Sequence, residues 1–216
     1  MSTSDATDRS ALVNGYRHGR VPRSVREQQL LDVAEEQFAA HGYGGASIEV
    51  IARLAGVSRP IVYDHFGDKE GVYIACLRRA RRELEEMILT EVAHASTPRE
   101  MIELGTAAYF EFVERRGQRW VVLFGGVELA GPAAEEVAAL RFATVGRIRD
   151  LISVIAPGAE AATVEAFAHA VSGSSEQVAK WWRANPRFDR AQVVDLQVAF
   201  AWSGLSQLLS PEDRAA

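Results

Sequence analysis

Only one cysteine, Cys76, occurs in the 216 residues. That excludes an internal disulfide and leaves the fold to stand on packing. Its neighbours Val72, Ala75 and Leu77 are those of a small buried hydrophobe, with a redox or intermolecular role as the alternative. Long apolar runs are missing too: nothing approaches the ~18 residues of a membrane-spanning helix, and Met1 to Ser10 is too polar and acidic for a signal peptide. A cytoplasmic protein with no membrane partner is therefore expected. No segment alternates at period two for long enough to claim a sheet. Histidines 18, 41, 65, 94 and 169 lack metal-ligand spacing, and there is no glycine-rich phosphate loop and no nucleophile-histidine pattern in a diagnostic context. Neither a metal, a cofactor nor catalysis is expected.

What is present is helical pattern and uneven charge. The net charge of −5 divides along the chain. Residues 1–82 carry 12 Lys+Arg against 10 Asp+Glu, and residues 83–216 carry 12 against 19. The first part is thus slightly basic and the second strongly acidic, an asymmetry compatible with nucleic-acid contact by the first. Residues 1–22 have no apolar periodicity but hold Arg17, Arg20 and, just beyond, Arg23. They are expected to form a flexible basic arm, either a solvated tail or a DNA-tracking one.

From Arg26, the residues Leu30, Leu31, Ala34 and Phe38 share one helical face, and Gly42 is a plausible stop. Ser47 can cap a second helix carrying Ile48, Ile51, Ala52 and Ala55. Gly56 permits a sharp turn. Ser58 then caps a third helix that tolerates Pro60 in its first turn and buries Val62 and Phe66. Gly67 ends it, and Asp68 caps a fourth helix with Val72, Leu77, Leu84 and Ile88 on one side. The run Arg78, Arg79, Arg81 and Arg82 reads as a solvated face, with long-range attraction to DNA as the alternative. Beyond Pro98 the segments 98–116, 119–129, 133–155, 160–184 and 189–209 are helical, separated by Gly117, Gly131-Pro132, Pro157-Gly158 and Asn185-Pro186. The expected class is all-α, with about nine helices: a three-helix helix-turn-helix over 23–70, then a helical ligand-sensing and dimerisation domain over 71–216.

Two short helices joined at Gly56, with a first helix packed across both, make a unit whose third helix can enter a major groove. The stretch SIEVIARLAGVSRPIVYDHFGDKEGVY, Ser47 to Tyr73, resembles the TetR family of transcriptional regulators, and the likeness extends over about residues 26–77. The resemblance implies that Ser47 donates to a phosphate from the positive end of helix two, and that Tyr63, His65 and Lys69 clamp the phosphate backbone. Ser58, Arg59, Pro60 and Ile61 form the exposed first turn of the reading helix, where Arg59 can pair with guanine and Ile61 can pack on a thymine methyl. Glu49 and Asp64 are acidic nearby and stay unassigned. The resemblance further implies a repressor that binds palindromic double-stranded operator DNA as a homodimer and is released by a small-molecule inducer. A transcriptional activator with the same reader, or a helix-turn-helix that binds protein instead of DNA, remains the alternative.

In the second half, Phe167, Val171, Ser175, Val178 and Trp182 form one heptad-like stripe, and Val194, Val198, Ala201, Leu205 and Leu208 form another. Two copies of each would make a four-helix dimer interface, the alternative being that both stripes face their own domain core. Gly173, Ala201 and Gly204 would allow close approach. Phe110, Trp120, Phe124 and Phe142, with Glu128 and His169 as polar anchors, are candidates for a pocket holding a largely apolar effector, set against a reading as ordinary core.

Overall fold

Pro22, extended at φ −55° and ψ 145°, sets where the first helix starts, since proline is suited to a helix entry and poor inside one. The computed structural model describes residues 21–126 and 131–209, so the expected arm lies almost wholly outside the described residues, as does Glu128. Nine α-helices follow one another among the described residues. They are α1 (Arg23–Gly45), α2 (Ile48–Leu54), α3 (Arg59–Phe66), α4 (Lys69–Val92), α5 (Pro98–Arg115), α6 (Gly117–Phe124), α7 (Gly131–Ile155), α8 (Ala161–Arg183) and α9 (Arg190–Leu205). A short 3-10 turn, Ser206–Leu208, closes the last helix. None of the helices is long and apolar enough to cross a membrane.

The punctuation follows backbone chemistry. Gly42 takes φ 67° and breaks α1 before its last turn. Gly56 takes φ 66°, a left-handed conformation that lets the chain reverse between α2 and α3. The Ser47 hydroxyl accepts from Val50 N–H at 3.2 Å and Asp68 accepts from Gly71 N–H at 2.7 Å, so α2 and α4 start on satisfied donors. Thr97 does the same for α5, and Asp189 with Gln192 forms a reciprocal cap on α9. In contrast, α6 ends at Phe124, short of the expected 129, because Gly125 and the left-handed Gly126 turn the chain there.

Leu30, Ala34 and Phe38 of α1, Ile51 of α2, Val62 of α3 and Val72 and Cys76 of α4 are buried in one core. Val62 has no exposure at all. Burying a side chain of that size contributes about 2 kcal/mol, which is much of what holds so short a helix as α3 in place. The core continues without interruption through Leu77 and Leu84 to Phe110, Phe112, Val113, Leu123 and Trp182. The expected division at residue 70 falls in the first turn of α4, so this helix belongs to both halves.

A chain of ion pairs reinforces that continuity. Glu35 of α1, 3% exposed, faces Arg79 of α4 at 2.6 Å and Arg119 of α6 at 2.8 Å. Asp32 joins Arg79 at 2.8 Å, and Glu83 pairs with Arg116 at 2.6 Å and also with Arg119. Burial works against the Glu83 charge, yet bonds from Arg116 and Arg119 outweigh it and hold its carboxyl below the usual range. Burial likewise opposes the charge on Arg119, but Glu35 and Glu83 hold its guanidinium firmly protonated. Arg79, expected on a solvated face, is 7% exposed and belongs to this network.

Candidate functional site

The exposed side of the first three helices carries most residues singled out in the sequence. Arg59, Pro60 and Ile61 form the outer first turn of α3, and Tyr63 stands 48% exposed one turn on. The opposite side, Val62, anchors the helix. Ser58 holds the cap position without a side-chain cap bond. Ser47 uses a lone pair for Val50, which leaves its O–H able to donate outward.

The arrangement adds partners that sequence left unassigned. Arg59 lies 3.3 Å from Glu49 of α2, an exposed pair that aims the guanidinium across the α2–α3 turn. Asp64 is held by Arg23, which donates to its carboxylate at 3.0 Å and to its carbonyl at 2.9 Å and so ties the start of α1 to α3. The Lys69 ammonium sits 4.5 Å from the centre of the Tyr43 ring and 3.4 Å from the Gly44 carbonyl, steadied at the end of α1. Burial, with Glu70 and Asp68 nearby, pushes the Tyr43 hydroxyl pKa up, so that ring remains neutral beneath the ammonium. His65 is partly buried against Phe66, with its Nδ1 enclosed and unpartnered. Desolvation, helped by Arg23, lowers its pKa, so in the free protein the neutral ring is favoured.

In the second half the structure brings together a different set from the one expected. Phe110 and Trp120 are fully packed: Phe110 lies edge-on to Trp182, and the Trp120 indole N–H donates to the Tyr109 hydroxyl at 2.9 Å. Neither lines the apolar cavity or the more polar groove of this half. An apolar cavity of about 130 Å³ lies instead among α4, α5, α7, α8 and α9, walled by aliphatic residues such as Ile88, Ile102, Ile148 and Leu151, and it is reached by Phe124 and Tyr109. Its one cluster of charges is Arg81, Glu85 and Arg147. Phe142 and His169, both exposed, lie with Phe124 on a second, more polar groove of about 520 Å³. Of the described pocket candidates Phe110, Trp120, Phe124, Phe142 and His169, Phe124 lines the first of these spaces. The aliphatic spacing of α4, α5 and α7 was the usable signal.

The two heptad-like stripes turn inward. Ala201 and Leu205 are 5% and 3% exposed, and with Val171 and Ser175 they line the apolar cavity. Val198 and Trp182 are also buried within the chain, while Val178 and Val194 pack against the main core and Phe167 and Leu208 against the smaller cluster around Ile152. Within the protomer the stripes thus follow the own-core alternative, since heptad spacing tells that a face is covered and not by what. The faces of α8 and α9 that remain uncovered carry Ala166, Ala170, Gly173 and Trp181, and Leu196, Ala199 and Phe200. Leu196 is 55% exposed and Phe200 61%.

Residues 30–76 match the model for bacterial regulatory proteins of the tetR family, and residues 98–204 match the tetracyclin repressor-like C-terminal domain. The chain is 31% identical over 210 residues to the HTH-type transcriptional activator FasR of Mycolicibacterium smegmatis, covering 96% of this chain and 95% of that protein. It is 35% identical over 65 residues to the HTH-type transcriptional repressor AcnR of Corynebacterium diphtheriae, covering 30% of this chain and 34% of that protein. Among solved structures it resembles a TetR-like transcriptional regulator from Rhodococcus sp. RHA1, with a TM-score of 0.70 and 27% identity over 87% of this chain and 99% of that one.

Proposed function

The chain belongs to the tetR family of bacterial regulatory proteins, and from that premise we propose that it binds an operator through the outer face of α3 and lets go of it when an apolar effector fills the cavity beside α4. It is a DNA-binding transcriptional regulator; the operator contacts, the effector and the pairing of subunits are what this reading adds.

The observation that carries the reading is the two-sided construction of α3. Val62 fixes it from within, while Arg59, Pro60, Ile61 and Tyr63 are left outside in the positions a groove would meet. Arg59, oriented by Glu49, is assigned to a guanine edge, and Ile61 to a thymine methyl. Ser47, Ser58, Tyr63, His65 and Lys69 are assigned to phosphate oxygens, which set register without reading sequence. One such helix reads only a few base pairs, so a second copy is required for specificity and the operator is approximately palindromic. The uncovered apolar face of Leu196 and Phe200 with the small residues Ala170 and Gly173 is the surface assigned to that pairing.

Repression follows from an operator occupied in the absence of effector. The whole-length likeness to an activator, FasR, favours a second reading in which the same reader recruits transcription. Both are tested by one set of measurements. Full-length protein is titrated onto genomic operator fragments at increasing salt, and the same fragments are transcribed in vitro with and without protein. Affinity falling steeply as salt rises is expected of several phosphate contacts. A flat salt response would instead favour a helix-turn-helix that binds protein, and transcription rising on addition of protein would favour activation.

A further inference from the structure

The wall of the cavity beside α4 is mostly hydrocarbon; Thr106, Tyr109, Thr144, Ser172 and Ser175 are its uncharged polar members, and its charges fall in one cluster. Arg81 and Glu85, one turn apart on α4, and Arg147 of α7 all reach it. Arg81 donates to Glu85 at 2.5 Å, and Arg147 Nε lies 3.9 Å from the same carboxylate oxygen. Two guanidinium groups therefore share one carboxylate, and the cluster keeps a net positive charge against an apolar chamber. Arg81 and Glu85 are about one-fifth exposed and Arg147 about half, so the cluster stands where the chamber meets solvent. The Nε of Arg81 is enclosed without a hydrogen-bond partner. A buried, charged donor left unmatched costs free energy, so the Arg81–Glu85 pair is not fully satisfied within the protein.

We propose that the effector is an apolar chain ending in an anionic group, with the chain in the aliphatic chamber and the anion held between Arg81 and Arg147. This rests on the reading of the cavity as the effector site and adds the chemistry of its ligand. The planar fork of arginine suits a carboxylate or a phosphate equally. Glu85 competes with the ligand for the same guanidinium groups. Its displacement is the local price of binding, and it ensures that a neutral chain gains nothing from the cluster. A cationic chain would meet two like charges and one carboxylate already engaged.

The test is calorimetry on the full chain, below micelle-forming concentrations, with octanoate, octyl phosphate, octanol and octyltrimethylammonium as probes. Octanoate or octyl phosphate should bind at least tenfold more tightly than octanol, and the better of the two identifies the head group. Octyltrimethylammonium should bind most weakly. Arg147→Gln, at a half-exposed position, should weaken the anionic probe about tenfold and leave octanol unchanged. Glu85→Gln should tighten the anionic probe about threefold, an opposite sign that a merely destabilised protein would not give. Octanol binding as well as octanoate, or an Arg147→Gln variant that loses both equally, overturns the proposal. Calorimetry needs no DNA, so a failure to bind operator would count against the regulator reading and leave these outcomes as they are.

Discussion

Glu35 and Arg119 lie 84 positions apart in the chain and 2.8 Å apart in space, joining the helix that crosses the helix-turn-helix unit to the helix that ends beside the apolar cavity. α6 is only eight residues long, with Arg119 near its start and Phe124 at its end. Phe124 lines the cavity while Arg119 grips Glu35, and Asp32 lies 3.4 Å away. A shift of this one short helix on effector binding would be felt directly at α1.

Arg119→Gln should therefore separate the two halves functionally. It removes the charge held by Glu35 and Glu83 and shortens the side chain, leaving a polar amide in its place. Operator affinity without effector should change little, whereas the loss of affinity on adding effector should shrink several-fold. Anisotropy titrations with and without effector check this; unchanged coupling would show that α6 does not carry it. Glu35→Ala is the harsher change, since it leaves Arg79 enclosed without its nearest partner, and it should lower stability by about 3 kcal/mol in denaturant titration.

Lys69 and Arg59 should fail in different ways. Lys69→Ala should weaken binding to every duplex alike and reduce the steepness of the salt dependence by about one ion. Arg59→Ala should cost about 1–3 kcal/mol on the specific operator and relax preference at one base pair in each half-site. Competition assays with single-base variants of the operator distinguish the two; identical losses on specific and random DNA would refute the division of roles.

Phe200→Glu places a charge on a side chain 61% exposed in the protomer. The protomer core should be untouched, and the helical signal retained. Sedimentation should show a shift from dimer to monomer, and operator affinity should fall with it. A dimer that survives both Phe200→Glu and Leu196→Glu would move the interface elsewhere.

Cys76 has no exposure, and burial pushes its thiol well above the ordinary value, with Glu35 adding to the effect. The native thiol should therefore stay protonated through pH 9 and resist iodoacetamide, while the unfolded chain, with an ordinary thiol, reacts readily. Mass spectrometry of the alkylated protein at pH 8.5, with and without denaturant, checks this. Rapid modification of the folded chain would rule out the packing role in favour of a redox-sensing one.

The DNA-facing unit was legible because its signals are local. Ser47, Gly56 and Asp68 each fix a helix boundary within a few residues, and Val62 and Phe66 fix which side of α3 is inside. The cavity and the pairing face depend on which helices meet, and one sequence does not contain that directly. Ala201 and Leu205 have the spacing of an interface and are spent on the cavity wall. Leu196 and Phe200, two isolated apolar residues among Asp195, Ala199 and Ser203, look too sparse for one. Phe110 and Trp120 were drawn into the pocket by their size, but large flat rings fill a core more efficiently than they line a void. Arg81 stands in a run of arginines that diverge: Arg78 pairs with Glu136, Arg79 is buried against Glu35, and Arg82 is exposed.

Gly204 has a neighbour that leaves it no freedom. A Cβ built there would stand 2.9 Å from the Phe167 ring, closer than real atoms approach. Phe167 packs on Ile152, Val164 and Leu205, the cluster that forms one end of the chamber. Neither Gly204 nor Phe167 touches the empty space itself, yet one methyl group at 204 would push the ring aside and resize what the chamber can admit. The size of the chamber can thus drift through a position that lines none of it.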